Sequence, residues 1–225
     1  MKYLLSTMGI CMVCLLAGIT ANAQEESIFN IEVVEGSSNV VPPKFGTDLY
    51  DGKNQGTGNQ GLLKIDRIPN IVFGVTSNSY LNKTVSAKND NPYIQISDYR
   101  GTVDGWRLSA KASNFVSDSL MPNGKKYVLS GAKLTFSAGL VESASGISQE
   151  NYKPKTNKVT LNDHYQALVT AKENQGQGTW GIRWENKPYT KGNEQLQLFI
   201  KGNSSKPNLK YMASIEWLLE SGVEE

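Results

Sequence analysis

The chain has 225 residues, with 23 lysines and arginines against 21 aspartates and glutamates, one histidine and two cysteines. A formal charge of +2 supplies no excess for general polyanion or nucleic-acid binding, and the length suits one domain with a leader and an arm. The later part is slightly more basic through Lys125, Lys126, Lys153, Lys155 and Lys158, which as scattered surface lysines read as solvated.

Residues 1–23 predict a secretory signal peptide: Lys2 is the basic start, residues 3–19 are the apolar run, and Ala21-Asn22-Ala23 fits an A-x-A cleavage site. The run is shorter than the roughly 20 residues that span a bilayer. Cys11 and Cys14 form a C-x-x-C pair inside that run and leave with it, so the mature chain has no cysteine and depends on its core. Residues 24–61 carry Pro42-Pro43 and a glycine- and amide-rich stretch with almost no apolar side chain, the composition of a flexible arm. An isolated strand is expected at residues 31–34. The run 48–52 lacks the alternating acidic ligands and closing glutamate of a calcium loop, and no metal site is expected there.

Residues 62–223 read as one all-β, sandwich-like domain built from short alternating segments between turn residues. Leu63 and Ile65 alternate before Pro69, and Ile71, Phe73 and Val75 after it. Tyr93 to Ala110 joins two alternating runs, Ile94 with Ile96 and Trp106 with Leu108 and Ala110, through a polar turn that predicts a β-hairpin or a tight corner. Leu134 and Phe136, Val159 and Leu161, Ala167 to Ala171, and Leu196 to Ile200 give further strands, and Tyr211 to Leu219 is the longest alternation. Any helix is expected as a short turn near residues 114–122 or 148–155.

Four tryptophans share strand faces with apolar neighbours: Trp106 with Leu108, Trp217 with Leu219, and Trp180 with Ile182 and Trp184. A buried ring removes a large apolar area and finds a backbone acceptor for its N–H, whereas an exposed one gives a platform for a sugar. Trp106 and Trp217 are expected in the core. Trp180 and Trp184, among Gly176, Gly178 and Gly181, are left as either a core wedge or a surface shelf.

The chain resembles the WxL-domain proteins, secreted surface proteins of Gram-positive bacteria. The resemblance rests on the entry segment 63–69 leading to Phe73-Gly74, and on a D-x-R-G-T-x-x-G-W-x-L motif at Asp98, Arg100, Gly101, Thr102, Gly105, Trp106 and Leu108. It also rests on a G-x-G-T-W element at Gly176 to Trp180 and on Y-x-A-x-x-x-W-x-L at Tyr211, Ala213, Trp217 and Leu219. Residues 220–225 depart from the family's ending. The resemblance implies non-covalent attachment to the cell wall through peptidoglycan, with Trp106, Leu108, Trp217, Leu219, Asp98, Arg100, Trp180 and Trp184 as binding or motif residues. It also implies a membrane-anchored partner with a WxL-interacting domain, and sortase-anchored neighbours. No L-P-x-T-G sorting motif is present, which fits attachment without a covalent anchor.

Enzyme readings find little support. His164 stands alone without a G-x-S-x-G elbow or a cysteine nucleophile, and a histidine-based zinc site has too few ligands. Asp98 and Asp104 lie beside glycines, where aspartates cap turns far more often than they act as paired carboxylates. Arg100 reads as an ion-pair partner for one of them. No cofactor is expected. The remaining alternative is an adhesin module that binds a host glycan or matrix protein.

Overall fold

The computed structural model describes residues 37–52, 54–186 and 191–222. The expected signal peptide, the cysteine pair and the strand at 31–34 lie outside them. The described chain is all-β. Its strands are β1 (Leu63–Arg67), β2 (Lys83–Ala87), β3 (Tyr93–Asp98), β4 (Trp106–Ala112) and β5 (Val116–Leu120). They continue with β6 (Lys126–Val128), β7 (Lys133–Phe136), β8 (Leu140–Ser143), β9 (Lys155–Thr156) and β10 (Val159–Thr160). The last are β11 (Gln166–Ala171), β12 (Gly178–Arg183), β13 (Asn193–Ile200), β14 (Tyr211–Met212) and β15 (Ile215–Ser221). One 3-10 turn, Glu150–Tyr152, falls where a short helical turn was expected.

The strands pair antiparallel in four sheets, ordered β1-β3-β12-β8, β10-β7-β13-β2, β15-β4-β11-β9 and β14-β5-β6. Alternation decides which side of each sheet is apolar. Ile94, Ile96 and Ile182 from the first, Leu134, Phe136 and Leu196 from the second, and Trp106, Leu108 and Ala110 from the third meet in one cluster. This is the sandwich-like core that the period-2 pattern predicts. A smaller cluster of Leu129, Leu198 and Ile200 packs with Tyr211 and Phe115 where the three-stranded sheet joins the second sheet.

The segment from Tyr93 to Ala110 is a corner. β3 pairs with β1 and β12, while β4 pairs with β11 and β15, so the chain changes sheets at the turn. Three expectations meet a different structure. Ile71 to Val75 forms no strand, because Gly74 turns the backbone to φ +72° and the Asn89 side chain accepts from the Val72 N–H at 2.8 Å. Residues 116–120, expected as a polar connection, form β5, since Val116 pairs with both Val128 and Met212. The long alternation from Tyr211 to Leu219 is also divided. β14 joins β5, β15 joins β4, and Ser113 ties the break by donating its N–H to Ser214 O at 2.9 Å.

Residues 42–52 and 54–57, within the stretch read as an arm, lie along the outer side of β1 and β3 without forming a strand. Their attachment is mostly polar, which is why apolar patterning gives no sign of it. Lys44 N–H donates to Gln95 Oε1 at 2.8 Å, Tyr93 Oη donates to Gly46 O at 3.2 Å, and Thr57 N–H donates to Asp66 O at 2.8 Å. Asp51 is buried against Arg67 and accepts from both the backbone and side-chain nitrogens of Asn70 at 2.8 Å. Phe45 adds an apolar contact, edge-on to Tyr93 at 5.7 Å, over Gly181, where a Cβ would come within 2.7 Å of the ring.

Candidate functional site

The two W-x-L motifs stand on adjacent strands. In the β4–β15 ladder Leu108 faces Leu219, Trp217 faces Ala110, and Trp106 faces Ser221. All four motif side chains therefore point from one face of the sheet into the main cluster. Trp106 and Leu108 are fully buried, and Trp217 and Leu219 are partly buried beside them. Trp106 donates its Nε1–H to Gly176 O at 3.1 Å. Gly176 has φ +77°, and a Cβ there would lie 2.5 Å from Trp106 Nε1, so the glycine makes room for the ring and takes its hydrogen bond. Trp217 meets Phe136 edge-on at 6.1 Å, and Phe136 meets Trp184 edge-on at 5.2 Å, an aromatic chain across the core.

Trp180 and Trp184 are also fully buried. Their indole N–H groups donate to Gln177 O and Ser137 O, each at 2.8 Å. Of the two arrangements open to them in the sequence, both rings take the interior one. Trp106, Trp180 and Trp184 thus lie wholly inside the sandwich, and Trp217 packs against Phe136 while staying partly exposed.

Asp98 and Arg100 close the corner. Asp98 is buried, and Arg100 clasps it with Nε to Oδ1 at 2.9 Å and Nη2 to Oδ2 at 2.8 Å. This fork-on-fork pair holds Arg100 more firmly protonated than a free guanidinium, with the Asp98 hydrogen bonds as the leading cause. Arg100 also donates to Gly105 O at 2.8 Å and to the Ser221 hydroxyl at the end of β15. Gly222 N–H reaches the same Gly105 carbonyl at 3.2 Å. Gly105 itself sits at φ +67° with its Cα against the carbonyls of Ala171 and Lys172, a position that admits no side chain. The R-G-T turn therefore stitches the start of one W-x-L strand to the end of the other.

Beside this stitch lies an open cleft of about 640 Å³, lined by Val103, Asp104, Arg107, Glu173, Glu220, Ser221 and Gly222. It takes residues from the turn, from both motif strands and from the connection after β11. The sequence pointed to its turn portion through the motif, but nothing in the spacing brought Glu173 to Asp104. On the outward side of the same two strands, Glu216 bonds the Tyr165 hydroxyl and pairs with Lys111 at 3.1 Å, which lowers its carboxyl below the usual range, the Tyr165 hydrogen bond first. His164 is exposed; its ring Nδ1 lies 2.8 Å from Asp163 Oδ1, and its backbone N–H donates to Asn162 Oδ1 at 2.8 Å.

No helix among the described residues is long and apolar enough to cross a membrane. Neither the curated proteins nor the solved structures contain a match to this chain. The family model of the WxL domain, described as a surface cell-wall-binding domain, matches residues 20–222. That span includes the corner, both W-x-L strands and the Gly176 element, and the chain belongs to the WxL family of surface cell-wall-binding domains.

Proposed function

We propose that this domain holds a secreted protein non-covalently at the cell wall by binding peptidoglycan, within a surface complex that includes a membrane-anchored WxL-interacting protein and sortase-anchored neighbours. The family assignment carries wall attachment, and the family is one of binding domains rather than enzymes. The observation behind the finer reading is the joining of the two W-x-L strands by the Asp98–Arg100–Ser221 stitch. With three of the four indoles fully enclosed, contact with the wall falls to the surface at the strand ends, where the cleft is lined by Asp104, Glu173 and Glu220 together with Arg107, which faces Glu220 across the ladder. Such a mixed-charge lining suits the free amines and carboxylates of peptidoglycan stem peptides. Residues 1–23 act as the secretory signal, and residues 24–61 as an arm, part of which is strapped to the wall-binding domain of residues 62–223.

Purified mature protein is expected to sediment with isolated sacculi. Charge reversal in the cleft, Asp104→Lys with Glu220→Lys, is expected to weaken sedimentation while leaving the thermal melt in place. A mature protein that stays in the supernatant at every sacculus concentration overturns peptidoglycan binding.

A further inference from the structure

Around the smaller hydrophobic cluster the fold gathers a second surface of a different character. Within residues 115–135 and 198–212 there are six lysines, Lys125, Lys126, Lys133, Lys201, Lys206 and Lys210, and one carboxylate, Asp118. In sequence they are spread over three separate stretches. The fold sets them on elements around that cluster: Lys133 faces Phe199 across β7 and β13, and Lys201 runs over Gly131, where a Cβ would sit 3.4 Å from Lys201 Cδ. Lys126 pairs with Leu120 across β5 and β6, and Lys210 O accepts from Asp118 N–H at 2.9 Å. Lys206 Nζ lies 5.6 Å from the centroid of the Tyr127 ring, and Tyr127 meets Tyr211 edge-on at 6.3 Å.

All six lysines are exposed. Ion pairs of the described residues lie elsewhere, among them Asp51–Arg67, Asp98–Arg100, Lys111–Glu216, Glu150–Lys153, Asp163–His164 and those on Arg183. None of the six has a carboxylate partner among the described residues. All four arginines, Arg67, Arg100, Arg107 and Arg183, lie outside this surface. Unpaired ammonium groups on flexible stems suit single negative charges spaced along a chain, rather than a planar bidentate acid. The half-buried Tyr127 and Tyr211 add aromatic surface for a polyol or sugar.

We infer that this lysine surface binds a phosphodiester-linked anionic polymer of the wall, a second wall contact distinct from the strand-end cleft. The polymer's location in the wall rests on the proposed function above. The near-neutral formal charge of the chain does not argue against it, because the acidic groups lie mainly elsewhere on the fold.

The test compares sedimentation of the mature protein with native walls and with walls stripped of phosphodiester polymers by cold hydrofluoric acid, which leaves glycan and peptide. The wild type should bind native walls about tenfold more tightly. That gap should close as salt shortens the Debye length from roughly 30 Å at 0.01 M to 8 Å at 0.15 M. The variant Lys125→Glu/Lys126→Glu/Lys201→Glu/Lys210→Glu, altered only at exposed side chains and checked by its melt, should lose the gap yet bind stripped walls as the wild type does. Equal wild-type binding to both walls, or a gap that survives in the variant, overturns the inference and leaves peptidoglycan binding standing. Binding to native but not stripped walls upholds it and removes the peptidoglycan reading. Tighter lysine-dependent binding to phosphatidylglycerol vesicles than to native walls, at matched phosphate, also overturns it, in favour of a lipid surface.

Discussion

Trp106 is a motif residue committed to the core. Its ring is enclosed, its N–H is held by Gly176, and Gly176 cannot carry a side chain. Trp106→Ala is expected to cost about 3–5 kcal/mol and to remove wall binding only by unfolding the domain. Gly176→Ala should lower the melting temperature in the same direction, through the clash with the indole and the positive φ. Both outcomes are read from thermal melts. Asp66 offers a test by pH. It is buried beneath the arm, where Ser97 Oγ donates to Oδ2 at 2.6 Å and Gln95 Nε2 at 3.1 Å, while Oδ1 has no partner among the described residues. Burial raises its pKa, against the lowering from Ser97, Gln95, Lys64 and Lys44. A raised folded-state pKa gives stability that is present below the unfolded value of 3.8 and is lost as pH rises through the folded value. Asp66→Asn lacks that loss, so melts of the two proteins should show the variant gaining on the wild type as pH rises from about 4 towards neutral.

At the scale of elements, the alternating segments were legible because each places apolar side chains on one face. Ile94 with Ile96, Trp106 with Leu108, and Leu196 with Leu198 are strands in the structure for that reason. Pairing was less legible. Whether Tyr93 to Ala110 is a hairpin or a corner depends on partners far along the chain, and the β3 and β4 partners come from residues 63–67, 166–171, 178–183 and 215–221. β2, with its Lys-Thr-Val-Ser-Ala sequence, and β8 escaped notice because their exposed and half-buried positions carry little apolar pattern. The strap at residues 42–52 and 54–57 escaped for a related reason, since Asp51, Asn54 and Thr57 attach through hydrogen bonds that leave no periodicity. Gly181→Ala is expected to displace Phe45 from its seat and to cost about 1–3 kcal/mol, seen as a lower denaturation midpoint. Arg100→Ala should be similarly harmful, because it leaves Asp98 buried without its partner and releases the end of β15.

For the molecule as a whole, the paired motifs, the R-G-T turn and the glycine-tryptophan element were all readable in sequence, and together they identified the family. What sequence could not supply was that the two W-x-L strands are neighbours whose rings face inward, leaving charged side chains at the strand ends and around the smaller cluster. Under the proposed function, the motifs serve construction and polar surface recognises the wall. Sedimentation with purified sacculi by Trp217→Phe, a replacement that keeps an aromatic ring against Phe136, tests that division most directly once a melt shows the variant folded at the assay temperature. The account predicts that folded Trp217→Phe sediments as the wild type does. A folded variant that stays in the supernatant would contradict it and return the tryptophan to the binding surface.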